Sequence, residues 1–171
     1  MNKSLDINTI FANNDKYIKK RLSEIRRGCK KVSLDNCHTQ DWLPLSLDRF
    51  PPIYGYSRFG AYMIKHITDT GFDNIRYVGN GVVGSRKKRI KDVFQNDGRA
   101  VVSKNGSSSD CRVASKLFQE DPNLGNWLFW CCRIPKLAGG ELADKVYVEE
   151  FERSLHDHFN PLYNLGGLIG K

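Results

Sequence analysis

Apolar positions along this chain change period several times, and each change marks an element. Tyr17, Ile18, Leu22 and Ile25 recur at helical spacing behind the capping residues Asn13-Asn14-Asp15, and Gly28 ends the run, which predicts an amphipathic helix. Pro44, Pro51 and Pro52 then interrupt any regular pattern, so this stretch reads as an irregular linker with Trp42 and Phe50 as packing anchors. Residues 59–67 and 75–79 are rich in β-branched and aromatic side chains, and the intervening 68–74 carries Asp, Gly and Asn, so the pair reads as a hairpin. From Ser85 to Gln95, Ile90, Val93 and Phe94 gather on one side of a short helix that Asn96-Asp97-Gly98 stops. A polar loop, Lys104 to Asp110, leads into a further helix from about Cys111 to Gln119. The apolar run from Trp127 to Ile134 is a third, buried strand. After Pro135 and Gly139-Gly140, Ala143, Tyr147, Phe151, Leu155 and Phe159 return every fourth position as the core stripe of a long helix over 142–159, which Pro161 closes.

The order strand, strand, helix, helix, strand, helix predicts an α+β fold with a small antiparallel or mixed three-stranded sheet flanked by helices. Residues 1–54 form a basic helical extension and linker, and 55–171 the folded domain. No apolar run approaches the roughly 18 residues of a membrane span. The opening Met1-Asn2-Lys3-Ser4-Leu5-Asp6 lacks the apolar stretch of a secretory signal. The expectation is an intracellular, cytoplasmic protein with no membrane partner.

Charge narrows the function classes. Twenty-seven Lys and Arg against nineteen Asp and Glu leave a net charge of +8, a field that attracts polyanions, nucleic acid first among them. Charge alone also serves solubility, so its distribution matters more. Lys16, Lys19, Lys20, Arg21, Arg26, Arg27, Lys30 and Lys31 crowd the first helix and its exit, and Arg86, Lys87, Lys88, Arg89 and Lys91 crowd the one after the hairpin. With Lys104 and Arg112 these are the candidate DNA contacts. Five cysteines without a C-x-x-C pair support neither a disulfide framework nor a zinc ribbon. Cys37-His38 with Cys29 lacks a fourth ligand, and Cys131 and Cys132 read as small hydrophobes within a strand.

Hydrolysing a phosphodiester needs an activated water, a counter-charge on the phosphate and a proton for the leaving oxygen. Tyr62 and Tyr77 on the hairpin, Arg86 and Arg89 on the basic helix, and Glu149, Glu150 and Glu152 on the last helix are candidates. A phenol is a weak base near neutral pH unless cations lower its pKa, and the Arg/Lys helix after Tyr77 offers such cations.

Gly60-Ala61-Tyr62, then Tyr77-Val78-Gly79, then a helix carrying Arg89-Ile90, and finally Glu152-Arg153-Ser154-Leu155 leading to Pro161-Leu162-Tyr163-Asn164 resemble the GIY-YIG nuclease superfamily in order and spacing over about residues 58–166. The resemblance implies a compact nuclease domain over 55–171: a DNA endonuclease of restriction, homing or phage-encoded type, from a bacterium or a phage acting in its host. It further implies Mg²⁺ (or Mn²⁺) held by Glu152, Tyr62 activating the water with Tyr77 beside it, Arg89 on the scissile phosphate, and Asn164 tying the tail to the sheet. Tyr77 and Arg89 stand further apart than relatives usually show, which leaves Arg86 as the alternative arginine. Val93 occupies a position where relatives often carry Tyr or His; His66, His156 or Lys91 would have to substitute. The competing expectation is a nucleic-acid-binding module that keeps the fold without the chemistry. The partner in either case is DNA, with duplex the expected form, and a homodimer would permit a double-strand cut.

Overall fold

The computed structural model describes residues 37–47, 54–100, 109–136 and 140–163. The basic first helix, Phe50, Lys104 and Asn164 lie outside them. Strands β1 (His38–Pro44), β2 (Tyr56–His66), β3 (Tyr77–Val82) and β4 (Trp127–Pro135) form one antiparallel sheet in the order β1-β4-β2-β3. Helices α1 (Val83–Gln95) and α2 (Ser109–Glu120) follow the hairpin, and α3 (Glu141–Phe159) follows β4. The α+β class, the β2–β3 hairpin and the helix order agree with expectation. The sheet has four strands rather than three, because the segment read as linker supplies β1. Its side chains are mostly half-buried and among the described strands it pairs only with β4, so its strand character comes from a distant partner and not from a local pattern.

Alternation along the strands divides the interior into two cores. Ala61, Met63, Val78, Trp130, Cys132 and Ile134 face α3, whose stripe Ala143, Tyr147, Phe151 and Leu155 is fully buried, with Phe159 packed at its edge. Trp42 joins this core and meets Phe72 at 5.5 Å between ring centroids. On the other face Tyr62, Ile64, Tyr77, Phe129 and Cys131 pack against Ile90, Val93 and Phe94 of α1 and Val113, Ala114 and Leu117 of α2. Among the described residues, Cys37, Cys111, Cys131 and Cys132 form no disulfide. Burial pushes Cys131 up to about 11, so it packs as a hydrophobe. None of the described helices is long and apolar enough to cross a membrane.

A polar clamp closes the far end of the hairpin. Arg76 bonds Glu120 through Nε and Nη2 and Asp69 through Nη1 at 2.8 Å, Tyr163 donates to Glu120 at 2.6 Å, and His66 Nε2 lies 2.7 Å from Asp121. Hydrogen bonds from Arg76 hold Glu120 below the usual carboxylate range, and His66 and Asn126 bring Asp121 down to about 2. Carboxylates depressed in the folded state add stability above their unfolded values and lose it as pH falls towards their folded ones. Urea midpoints should therefore fall between about pH 4.5 and 2, and Glu120→Gln should flatten that fall.

Candidate functional site

Four elements deliver side chains to one point beneath α1 and α2. The hairpin register sets Tyr62 opposite Gly79, and Tyr77, two residues earlier on β3, points to the same face. Gly79 leaves room for both rings: a Cβ there would lie 2.5 Å from Tyr62 Cζ and 2.9 Å from Tyr77 Cε1. The rings sit 5.9 Å apart, and Tyr62 stacks on Phe129 at 5.0 Å. Both phenols donate to Oδ1 of Asp110, from the first turn of α2, Tyr77 at 3.1 Å. Arg86 Nη1, from the first turns of α1, donates to Oδ2 at 2.7 Å. Its Nε–Nη2 edge lies over Gly81, where φ is +132° and an added Cβ would meet Nε at 2.5 Å. Tyr62 is fully buried, Tyr77 6 % exposed and the Asp110 side chain 3 % exposed, while the Arg86 side chain is 31 % exposed and forms the mouth.

A buried carboxylate is tolerated only when it is paired and hydrogen-bonded, and Asp110 has three donors. Burial opposes the charge on Arg86, but Asp110 outweighs it and raises the pKa. Burial, then Tyr77 and Asp110, push the Tyr62 phenol well above its usual value, and Arg86 only partly offsets this. The expectation that α1 cations make Tyr62 a ready base is thus corrected: Tyr62 is a neutral donor.

The other candidates go elsewhere. Glu152 lies on α3, across the sheet, where it accepts from the Asn80 side chain and pairs with His156 Nε2 at 3.4 Å. Asn80 alternates with Gly79 and Gly81 and stands opposite Ala61 of the α3-facing core, so β3 separates Glu152 from the tyrosines. Arg89 is exposed on α1, outside the pocket. Arg86 is the arginine that reaches the phenols. Lys87 is buried and donates to the Leu47 carbonyl, which corrects its reading as a DNA contact. Lys88 and Arg112 are exposed and Lys91 half-buried. Val93 is a core residue, and His66 belongs to the Asp121 clamp.

Mg²⁺ takes octahedral oxygen ligands with several waters. Neither carboxylate fits it as placed: Asp110 is filled by two phenols and a guanidinium, and Glu152 by Asn80 beside His156. Among the described residues no three His, Cys, Asp or Glu side chains converge on a cation position.

Asp110 is the site residue that sequence reading passed over. Its only signal was a lone acid between Lys104 and Arg112 at a helix start, where acids ordinarily complement the helix dipole. No family model, curated protein or solved structure matches this chain.

Proposed function

We propose that this chain is a DNA endonuclease of GIY-YIG type whose working pocket is Tyr62, Tyr77, Arg86 and Asp110. The observation that carries this reading is the meeting of two hairpin phenols and an α1 guanidinium on one buried carboxylate, drawn from four separate elements. Arg86 at the mouth seats the scissile phosphate: a planar fork suits two phosphate oxygens, and Asp110 engages only its Nη1 side. The raised pKa of Tyr62 excludes a standing phenolate at neutral pH. The proton of the attacking water instead passes to Tyr77 Oη as Tyr77 hands its own to Asp110, while the P–O bond to the leaving oxygen breaks and solvent protonates that oxygen. Tyr77, the less buried phenol, takes the part first assigned to Tyr62. Glu152 acts on this pocket from behind, by holding Asn80 and so the edge strand β3.

A second reading, a binding module without chemistry, is favoured by the placement of Glu152 on the far face. Incubating supercoiled plasmid and branched duplexes with the protein, with Mg²⁺ or with EDTA, separates the two. Cleavage that falls by about 10²–10⁴ in Tyr77→Phe and is lost in Arg86→Ala, with Glu152→Gln retaining activity, is the result expected of the first. Salt-sensitive retention of DNA without a cut in any substrate establishes the second. Cutting lost both in EDTA and in Glu152→Gln would return the metal to Glu152 and overturn the pocket as drawn.

A further inference from the structure

One row of residues runs across the whole sheet at the end nearest this pocket: His38 pairs with Arg133, Arg133 with Gly60, and Gly60 with Gly81. Directly paired residues share a face. Arg133 alternates with Cys132 and Ile134 of the α3-side core, which puts it on the face of Tyr62 and Arg86. Strands lie about 4.8 Å apart, so the Arg133 and Gly81 backbones are roughly 10 Å apart, close enough for neighbouring stretches of one nucleic-acid strand to reach both.

Beyond Arg133 a cavity of about 430 Å³ opens at the sheet end. Tyr56, Arg58, Arg133 and Lys136 line its sheet side, and Glu141 and Asp144 its α3 side. The volume suits a small organic ligand. The lining is of three kinds, with cations, an aromatic ring and carboxylates, which is more than a simple anion site requires. The ring of Tyr56 is braced edge-on by His38 at 5.4 Å. Arg58 and Glu141 pair at 2.8 Å at the rim with both side chains more than half exposed, a contact that exchanges for a ligand at small cost.

We infer that this cavity is a subsite for one nucleotide of the substrate strand, a few positions from the phosphate seated at Arg86. Lys136 takes its phosphate, Tyr56 stacks on its base, and Glu141, exchanging its rim contact with Arg58, accepts from an exocyclic amino group, the pairing by which acids recognise cytosine. The inference rests on the nucleic-acid reading above, but its readout is separate.

Calorimetric titration of the full chain with deoxycytidine 5′-monophosphate, deoxycytidine and inorganic phosphate tests it. The nucleotide should bind at least about tenfold more tightly than either fragment, and Tyr56→Ala should weaken it by about tenfold or more. Lys136→Ala, at an exposed position where the fold is not at stake, should weaken the nucleotide and leave deoxycytidine unchanged. Phosphate binding as tightly as the nucleotide, or nucleotide binding indifferent to both substitutions, overturns the subsite. Plasmid cleavage without nucleotide binding removes the subsite alone, whereas nucleotide binding without cleavage of any substrate removes the hydrolytic step and keeps the subsite.

Discussion

Asp110→Ala is expected to lower the unfolding free energy by about 3 kcal/mol, the lower end of the range for breaking a buried ion pair. Three donors lose their acceptor together. The Tyr62 hydroxyl, fully buried, cannot turn to water, and an unsatisfied buried polar group costs roughly 1–3 kcal/mol. Tyr77 is nearly as enclosed. Arg86 is about a third exposed, so its guanidinium can swing to solvent, and that is why the lower end applies. Asp110→Asn separates the charge from the hydrogen bonds: the amide oxygen still accepts from both phenols, while the amide nitrogen meets Arg86 donor to donor. The Asn variant should fall between wild type and Asp110→Ala in urea midpoint. The substitutions should also move Tyr62 downward in a spectrophotometric titration, because Asp110 is one of the groups that raise it. Burial is the larger cause and remains, so the phenol stays above its usual value. An alanine variant as stable as wild type would mean that the three donors do not depend on Asp110.

The parts of this fold that could be read from the sequence are those set by local periodicity. The stripe Ala143, Tyr147, Phe151 and Leu155 fixes the inward face of α3 without reference to anything else, and the hairpin is bounded by its own turn residues. β1 is different: His38-Thr39-Gln40-Asp41-Trp42-Leu43-Pro44 has no clean alternation, and it becomes a strand only because β4 offers an open edge some ninety residues later. The same limit governed the site. The stripe places Glu152 at the margin of the buried face of α3, but nothing along the chain says which face of the sheet that helix covers, and on that choice hangs whether Glu152 meets Tyr62 or Asn80. The motif left two arginines open, Arg89 with a spacing from Tyr77 longer than relatives show and Arg86 as its alternative; Arg86 lies three residues after Val83 and four before Ile90, both buried, so it faces the sheet. The packing of α1 brings Arg86, not Arg89, to the phenols.

Gly79→Ala should be the sharpest test of how the pocket is built. Most glycine-to-alanine changes are mild, and Gly84, in the first turn of α1 with open space around it, should tolerate alanine or gain up to about 1 kcal/mol from it. At Gly79 the new methyl would stand 2.5 Å from both Cζ and Oη of Tyr62 and 2.9 Å from Tyr77 Cε1. Neither ring has a cheap retreat, because Tyr62 stacks on Phe129 on one side and both phenols are tied to Asp110. Overpacking of this kind costs about 1–3 kcal/mol, occasionally more. Since the rings can escape only by leaving Asp110, the variant should also lose cleavage out of proportion to its stability, measured at a temperature where it is still folded. Adding Tyr62→Phe removes the hydroxyl contact but not the one to Cζ, so it should recover only part of the lost stability. If Gly79→Ala instead unfolds at the wild-type urea concentration, the two rings do not lie over β3, and the convergence on Asp110 that defines the site fails with them.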